Sequence, residues 1–372
     1  MDQNNLNENN VSSGYDRGNY LGSVKRQFGW IGLSYTVFFL VYNLTMGIMS
    51  YLYQTIFPGG VDGLLSLPSS FKNLVYYAMM FIPAYLIGVS LLYAMLNRIK
   101  SNVPGRATMT GSAWAYTLFI IVFLVYIGNL IGVVLMNFVA GLNGTSPVSS
   151  LDTMMGETGI FTQIIFVVIL APIVEELCFR KFLIDKIGVY GERNAMILSG
   201  LIFALFHGNI YQFFYAFFLG VIFSYIYIRS GKIKYTIALH CTVNFFGGAL
   251  PSLLMKTVDL VKVSELEEEL KKATEMGNSK KIMELVAQIY TPQFMLLAFY
   301  LFFMFIAFLV GLILFIRVIS NKKIYLDGNG TPMTRSEEKK VTYGNVGMIV
   351  FIVLGIAVTI LSMVSQTVMA TA

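Results

Sequence analysis

Apolar and polar residues in this chain are sorted into long blocks, not into the short alternations of a soluble domain. Charge-free stretches of about twenty residues recur from one end to the other, and each is long enough to cross a bilayer. The blocks predict an all-α, polytopic transmembrane helical bundle of about nine spans, near 29–56, 73–97, 114–139, 159–184, 195–212, 213–229, 234–255, 294–317 and 345–369. The division between the fifth and sixth spans falls around Gly208-Asn209, between two short apolar segments.

The connectors carry their own pattern. Lys25 and Arg26 precede the first span, and Arg98, Lys100 and Arg106 follow the second. Arg180, Lys181, Lys186 and Arg193 follow the fourth, and Arg229, Lys232 and Lys234 the sixth. Arg317, Lys322, Lys323, Arg335, Lys339 and Lys340 lie between the last two. Every second connector is therefore basic, which assigns the N-terminus to the cytoplasm and the C-terminus to the outside. A missed or invented span would break this alternation.

Five segments result. Residues 1–24, polar and Asn-rich, read as a disordered tail ahead of an uncleaved first span. Residues 25–150 hold three N-terminal spans, 151–255 a core of four, and 293–372 the last two. Between the last two blocks, 256–292 is charged and amphipathic. Ser264-x-x-Glu267 has the spacing of a capping box, Val263, Leu266, Leu270 and Ala273 recur at helical spacing, and Gly277-Asn278 signals a turn. A second helix from Lys280 to Tyr290 stops before Pro292, which predicts an extracytoplasmic helical hairpin. Within the spans, Gly128-x-x-x-Gly132 predicts close helix packing, and Asn43, Asn129 and Asn137 predict hydrogen bonds between helices.

Composition agrees with a membrane protein: 56% of the chain is hydrophobic and only 12% charged. The net charge of +6 belongs to the cytoplasmic loops, so it does not indicate nucleic acid. Cys178 and Cys241, the only cysteines, both lie in apolar segments, where small-residue packing is expected instead of a disulfide.

Ionisable groups inside a span are costly, at roughly 2.5–3.5 kcal/mol each on insertion scales. The fourth span nevertheless contains Glu175-Glu176-x-x-x-Arg180. Glu176 and Arg180 share a helix face at i and i+4 and can pair. Glu175 points about 100° away and needs a partner from another helix. The only two histidines, His207 and His240, both lie in apolar segments, as Phe203-x-x-x-His207 and His240-x-x-x-Asn244. Bringing these groups into one cavity satisfies all of them, and a carboxylate between burial and a nearby cation suits general acid–base chemistry. Two His and one Glu (Glu175, His207, His240) also make a three-ligand set for catalytic zinc, and a metal-free Glu/His site is equally compatible with these residues. No His-Glu-x-x-His, Gly-x-Ser-Gly, Gly-x-Gly-Asp or Walker A pattern occurs.

The three motifs, in this order and spacing and within apolar spans, resemble those of the CAAX protease and bacteriocin-processing (CPBP, or Abi) family of intramembrane endopeptidases. The match covers about 175–244. The resemblance implies that Glu175 activates water with the help of His207. It implies that His240 and Asn244 polarise the scissile carbonyl and stabilise the oxyanion. Glu176 and Arg180 would hold the site together. It also implies a peptide or membrane-protein substrate at the cell membrane and carries the label metalloprotease. The Asn-rich tail suggests a bacterium. Two other readings fit paired membrane carboxylates: a proton- or cation-coupled transporter, and a non-catalytic immunity or scaffold protein. Oligomeric state is not written in the sequence.

Overall fold

The computed structural model describes residues 9–58, 68–102, 105, 107–142, 144–147, 149, 155–156, 158–321 and 333–368. Among them there are helices and no strand. We number the helices α1 (Asn9–Ile56), α2 (Ser69–Leu96), α3 (Gly111–Leu142), α4 (Ile160–Tyr190), α5 (Glu192–Phe206) and α6 (Ile210–Ser230). They continue as α7 (Ile233–Lys256), α8 (Leu260–Glu275), α9 (Ser279–Ile289), α10 (Pro292–Ser320), α11 (Arg335–Tyr343) and α12 (Val346–Val368). The chain is a polytopic helical membrane bundle.

Eight helices are long and apolar enough to span: α1 to α4, α6, α7, α10 and α12. The ninth expected span is α5, whose 15 residues extend only about 22 Å against a hydrocarbon core of about 30 Å. The chain's path nevertheless requires it. Arg17 forks onto Glu337, with Nη2–Oε2 at 2.8 Å and Nε–Oε1 at 3.2 Å, and the Tyr35 and Phe351 rings meet at 6.2 Å. α1 and α12 thus start at the same end and run parallel. An even number of legs must separate their starts, and the seven long helices before α12 are odd in number. α5 supplies the missing leg by running antiparallel to α6. Their connection is tighter than expected, because Gly208 adopts φ +57° and lets Asn209 cap α6 by accepting from Tyr211 N.

The basic connectors collect at this same end. Asn102 N donates to Asp185 O, Gly105 N to Ile228 O and Ala107 N to Arg229 O. Tyr190 donates to Gln27 Oε1, and Asn194 to Thr342 Oγ1. The end rich in Lys and Arg is the one the positive-inside rule assigns to the cytoplasm.

Three expectations are corrected here. The tail at 1–24 is helical from Asn9 onward, because Tyr20, Leu21, Val24 and Phe28 continue an apolar stripe onto the core and Arg17 is tied to Glu337; residues 1–8 lie outside the described residues. The expected helical hairpin is present as α8 and α9, but Asp259 caps α8 by accepting from Lys262 N, so Ser264-x-x-Glu267 lies inside the helix. Its core is its own: Leu266, Ala273, Leu285 and Ile289. Asn43 and Asn137 donate to Phe39 O and Val133 O of their own helices, and Asn129 is exposed. Each amide back-bonds to the second lone pair of the carbonyl one turn earlier.

Gly128 and Gly132 do mark a close crossing. A Cβ on Gly128 would lie 2.5 Å from Tyr215 N, and one on Gly132 2.8 Å from Ile210 O, so α3 and α6 touch through backbone. Gly128→Leu is therefore expected to destabilise the bundle by about 1–3 kcal/mol through overpacking. Thermal unfolding in detergent checks this, with the exposed Gly141→Leu as the unaffected control.

Candidate active site

α4 is not a uniform α-helix. Its central stretch Ala171–Glu176 is α-helical, while Gln163–Leu170 and Leu177–Phe182 are widened into π turns, and α7 has a third π segment at Phe245–Ala249. Short π stretches inside α-helices are frequent at functional sites. Here their carbonyls accept hydrogen bonds from other helices: Asn244 Nδ2 to Val167 O at 2.9 Å, Tyr35 to Cys178 O at 2.6 Å, and Ser199 to Phe179 O at 2.7 Å. Tyr300 does the same for Phe246 O at 2.5 Å. Within a bilayer an unsatisfied carbonyl costs several kcal/mol, so these bonds fix the register in which α4 presents its carboxylates.

The two carboxylates converge on one imidazole. His240 Nδ1 lies 2.9 Å from Glu176 Oε1, and His240 Nε2 lies 3.5 Å from Glu175 Oε2. An imidazole nitrogen facing a carboxylate carries the hydrogen, so Nδ1 donates to Glu176 and Nε2 is directed at the cavity. Glu176 also pairs with Arg180 as expected, at 3.3 Å, both fully buried. The Arg180 guanidinium is held between two rings, 4.5 Å from the Phe203 centroid and 5.4 Å from that of Phe223. Glu175 differs from its neighbour in keeping a 22% exposed side chain.

His207 caps the end of α5. Its Nδ1 faces the Phe203 carbonyl at 2.7 Å, which places the hydrogen there and leaves Nε2 as an acceptor. Its ring stands edge-on to Phe203 at 4.7 Å, and that same Phe203 meets the His240 ring at 5.9 Å. His207 interacts electrostatically with Glu175 and His240. With Asn194 bonded to Thr342 at the basic end, the short α5 ends at His207, within electrostatic reach of Glu175.

Glu175, Glu176, Arg180, His207 and His240 are thus brought together. Asn244 shares His240's face of α7, but its amide donates to Val167 O and braces the π segment. Among the described residues, no three His, Cys, Asp or Glu side chains converge closely enough to hold a metal ion. In the trio Glu175, His207 and His240, Nδ1 of each histidine is held by a carboxylate or a carbonyl, which is also how a zinc-ligating histidine is oriented. Sequence reasoning missed two tyrosines. Tyr42 of α1 packs on Phe206 at 5.5 Å and on Tyr85 of α2 at 5.7 Å, and both phenols interact electrostatically with Glu175. No sequence signal singled out Tyr42, since Tyr35, Tyr51 and Tyr53 share its span.

Comparison with known proteins finds the same region. A family model described as type II CAAX prenyl endopeptidase Rce1-like matches residues 157–246, which hold all three motifs. The UPF0177 protein YxdF of Lactococcus lactis subsp. lactis (strain IL1403) is 26% identical over 107 residues, 28% of this chain and 59% of that protein. The chain therefore spans about three fifths of the length of the curated relative it matches. No solved structure matches.

Proposed function

We propose that this chain hydrolyses a peptide bond in a membrane-associated peptide or protein, at a site inside the bilayer of the cell membrane; the likeness of residues 157–246 to the type II CAAX prenyl endopeptidase Rce1-like model supports this reading. The observation that carries this reading is His240, bridging two adjacent carboxylates at 2.9 and 3.5 Å within an otherwise apolar interior.

Glu175, the more open carboxylate, takes a proton from a water that also bonds to the acceptor Nε2 of His207. The activated water attacks the scissile carbonyl, and Glu175 returns the proton to the leaving amine. His240 lies between the two carboxylates with a hydrogen on each ring nitrogen; held by Glu176 through Nδ1–H, it presents Nε2–H to the developing oxyanion, and the second amide hydrogen of Asn244 assists. Glu176 and Arg180 position His240 without touching substrate. No step is routed through a metal.

The test is cleavage of a mass-spectrometric peptide library by the purified protein in proteoliposomes, with and without a chelator. Cleavage is expected in both samples, at rates within about twofold, because general acid–base groups alone supply the chemistry. Cleavage that disappears with chelator and returns with zinc would replace this mechanism with the metal-dependent one. Proton flux in place of cleavage would replace it with transport.

A further inference from the structure

At the basic end of the bundle, away from the carboxylates, the start of α1 and the segment after α2 border a shallow, open cleft of about 340 Å³ lined by Arg26, Gln27, Trp30, Arg98 and Ile99. Its walls are fixed. Trp30 Nε1 donates to Met95 O at 2.8 Å, and Arg98 lies over the indole at 5.4 Å. Tyr190 holds Gln27 Oε1 at 2.5 Å. The Lys186 ammonium donates to Ile99 O at 2.6 Å and to Ser101 Oγ at 2.5 Å, which clamps the backbone just after Arg98.

The charges in this cleft are not matched by the protein. Among the described residues, neither Arg26 nor Arg98 has a carboxylate partner, and both are exposed. Lys25 and Lys100 flank them, and no acid occurs between residues 17 and 61 or between 63 and 151. Asp185, whose backbone bonds Asn102, already has its carboxylate on Tyr227 and Lys181. An anion is the missing partner. Next to the cleft, exposed apolar side chains begin on both helices that form it: Leu33 and Leu40 on α1, and Tyr93 on α2. An indole at the rim, guanidiniums above and apolar surface below match the cross-section of a phospholipid at the membrane–water boundary.

We propose that this cleft binds an anionic phospholipid, with the headgroup phosphate between the Arg26 and Arg98 guanidiniums and the acyl chains along Leu33, Leu40 and Tyr93. Arginine's planar fork suits phosphate oxygens. The site is independent of the peptidase reading, since none of its residues touches the carboxylate–histidine cluster.

Native mass spectrometry of the full chain in detergent tests it. The titrants are phosphatidylglycerol, phosphatidylcholine with the same acyl chains, and inorganic phosphate. The expected result is one phosphatidylglycerol retained at least about tenfold more tightly than phosphatidylcholine, with that preference lost in Arg26→Gln/Arg98→Gln, as two interfacial cations are removed. Lys280→Gln/Lys281→Gln, on the α8–α9 hairpin, should keep the preference. Equal retention of both lipids, or a preference that survives the arginine substitutions, overturns the proposal. Displacement of the lipid by millimolar inorganic phosphate overturns the lipid as the source of the anion. Both arginines are exposed, so an unchanged gel-filtration profile confirms that the variant is folded.

Discussion

Replacing Glu175 with Gln is expected to lower peptide cleavage by about a thousandfold while the bundle stays folded, within the range for loss of a general base. The amide has nearly the volume of the carboxyl group and can still meet His240, so the packing is preserved. It cannot accept a proton from water. Glu175 also has the solvent access that a water-activating group needs, with 22% of its side chain exposed where Glu176 has none. The two adjacent glutamates are thus chemically distinct, and only one of them is expected to govern the chemical step. Single-turnover cleavage in proteoliposomes, read beside the unfolding temperature of the same sample, checks the result. Retention of more than a tenth of the activity in Glu175→Gln would remove it from the role of base.

The largest effect on stability is expected at Arg180. Arg180→Met leaves Glu176 in an apolar interior with only His240 and its immediate neighbours to compensate, and breaking one side of a buried ion pair costs about 3–5 kcal/mol. The substitution also removes the guanidinium from the faces of Phe203 and Phe223, at 4.5 and 5.4 Å. Glu176→Gln/Arg180→Met should recover at least half of the loss, because replacing a whole buried pair by neutral groups is often nearly neutral. Denaturant unfolding of the two variants in one detergent measures this. If the double variant is as unstable as the single one, Arg180 acts through packing and not through charge. Activity need not recover with stability, since His240 would no longer have Glu176 to hold its Nδ1–H.

The spans and their directions were legible because lipid leaves few options: a helix must be long, apolar and bounded by charge, and the charges alternate. The site was legible because polar groups are rare in such spans, so two histidines and one Glu-Glu pair stood out. What sequence periodicity does not carry is the local width of a helix. The π segments around Glu175 and Glu176 depend on donors from Tyr35, Ser199 and Asn244, which lie far away along the chain. α5 was assigned too long, since its apolar run continues past Phe206 while the backbone turns at Gly208. α11 was hidden inside a basic connector. Its start is a capping box between Thr334 and Glu337, and its role became visible only through the fork from Arg17 to Glu337. Tyr42 and Tyr85 escaped notice because nothing in an aromatic span says which ring faces a carboxylate.

The hydrogen bonds that shape α4 come from Tyr35, Ser199 and Asn244 and end on main-chain carbonyls, so none of them depends on the Glu175 side chain. The framework and the reactive group can therefore be separated: a chain disabled at Glu175 still presents an intact, correctly shaped cavity. Such a chain is a snare. It can bind whatever the active protein cuts but cannot release it as fragments, and a bound molecule recovered whole from the bilayer names its own scissile partner.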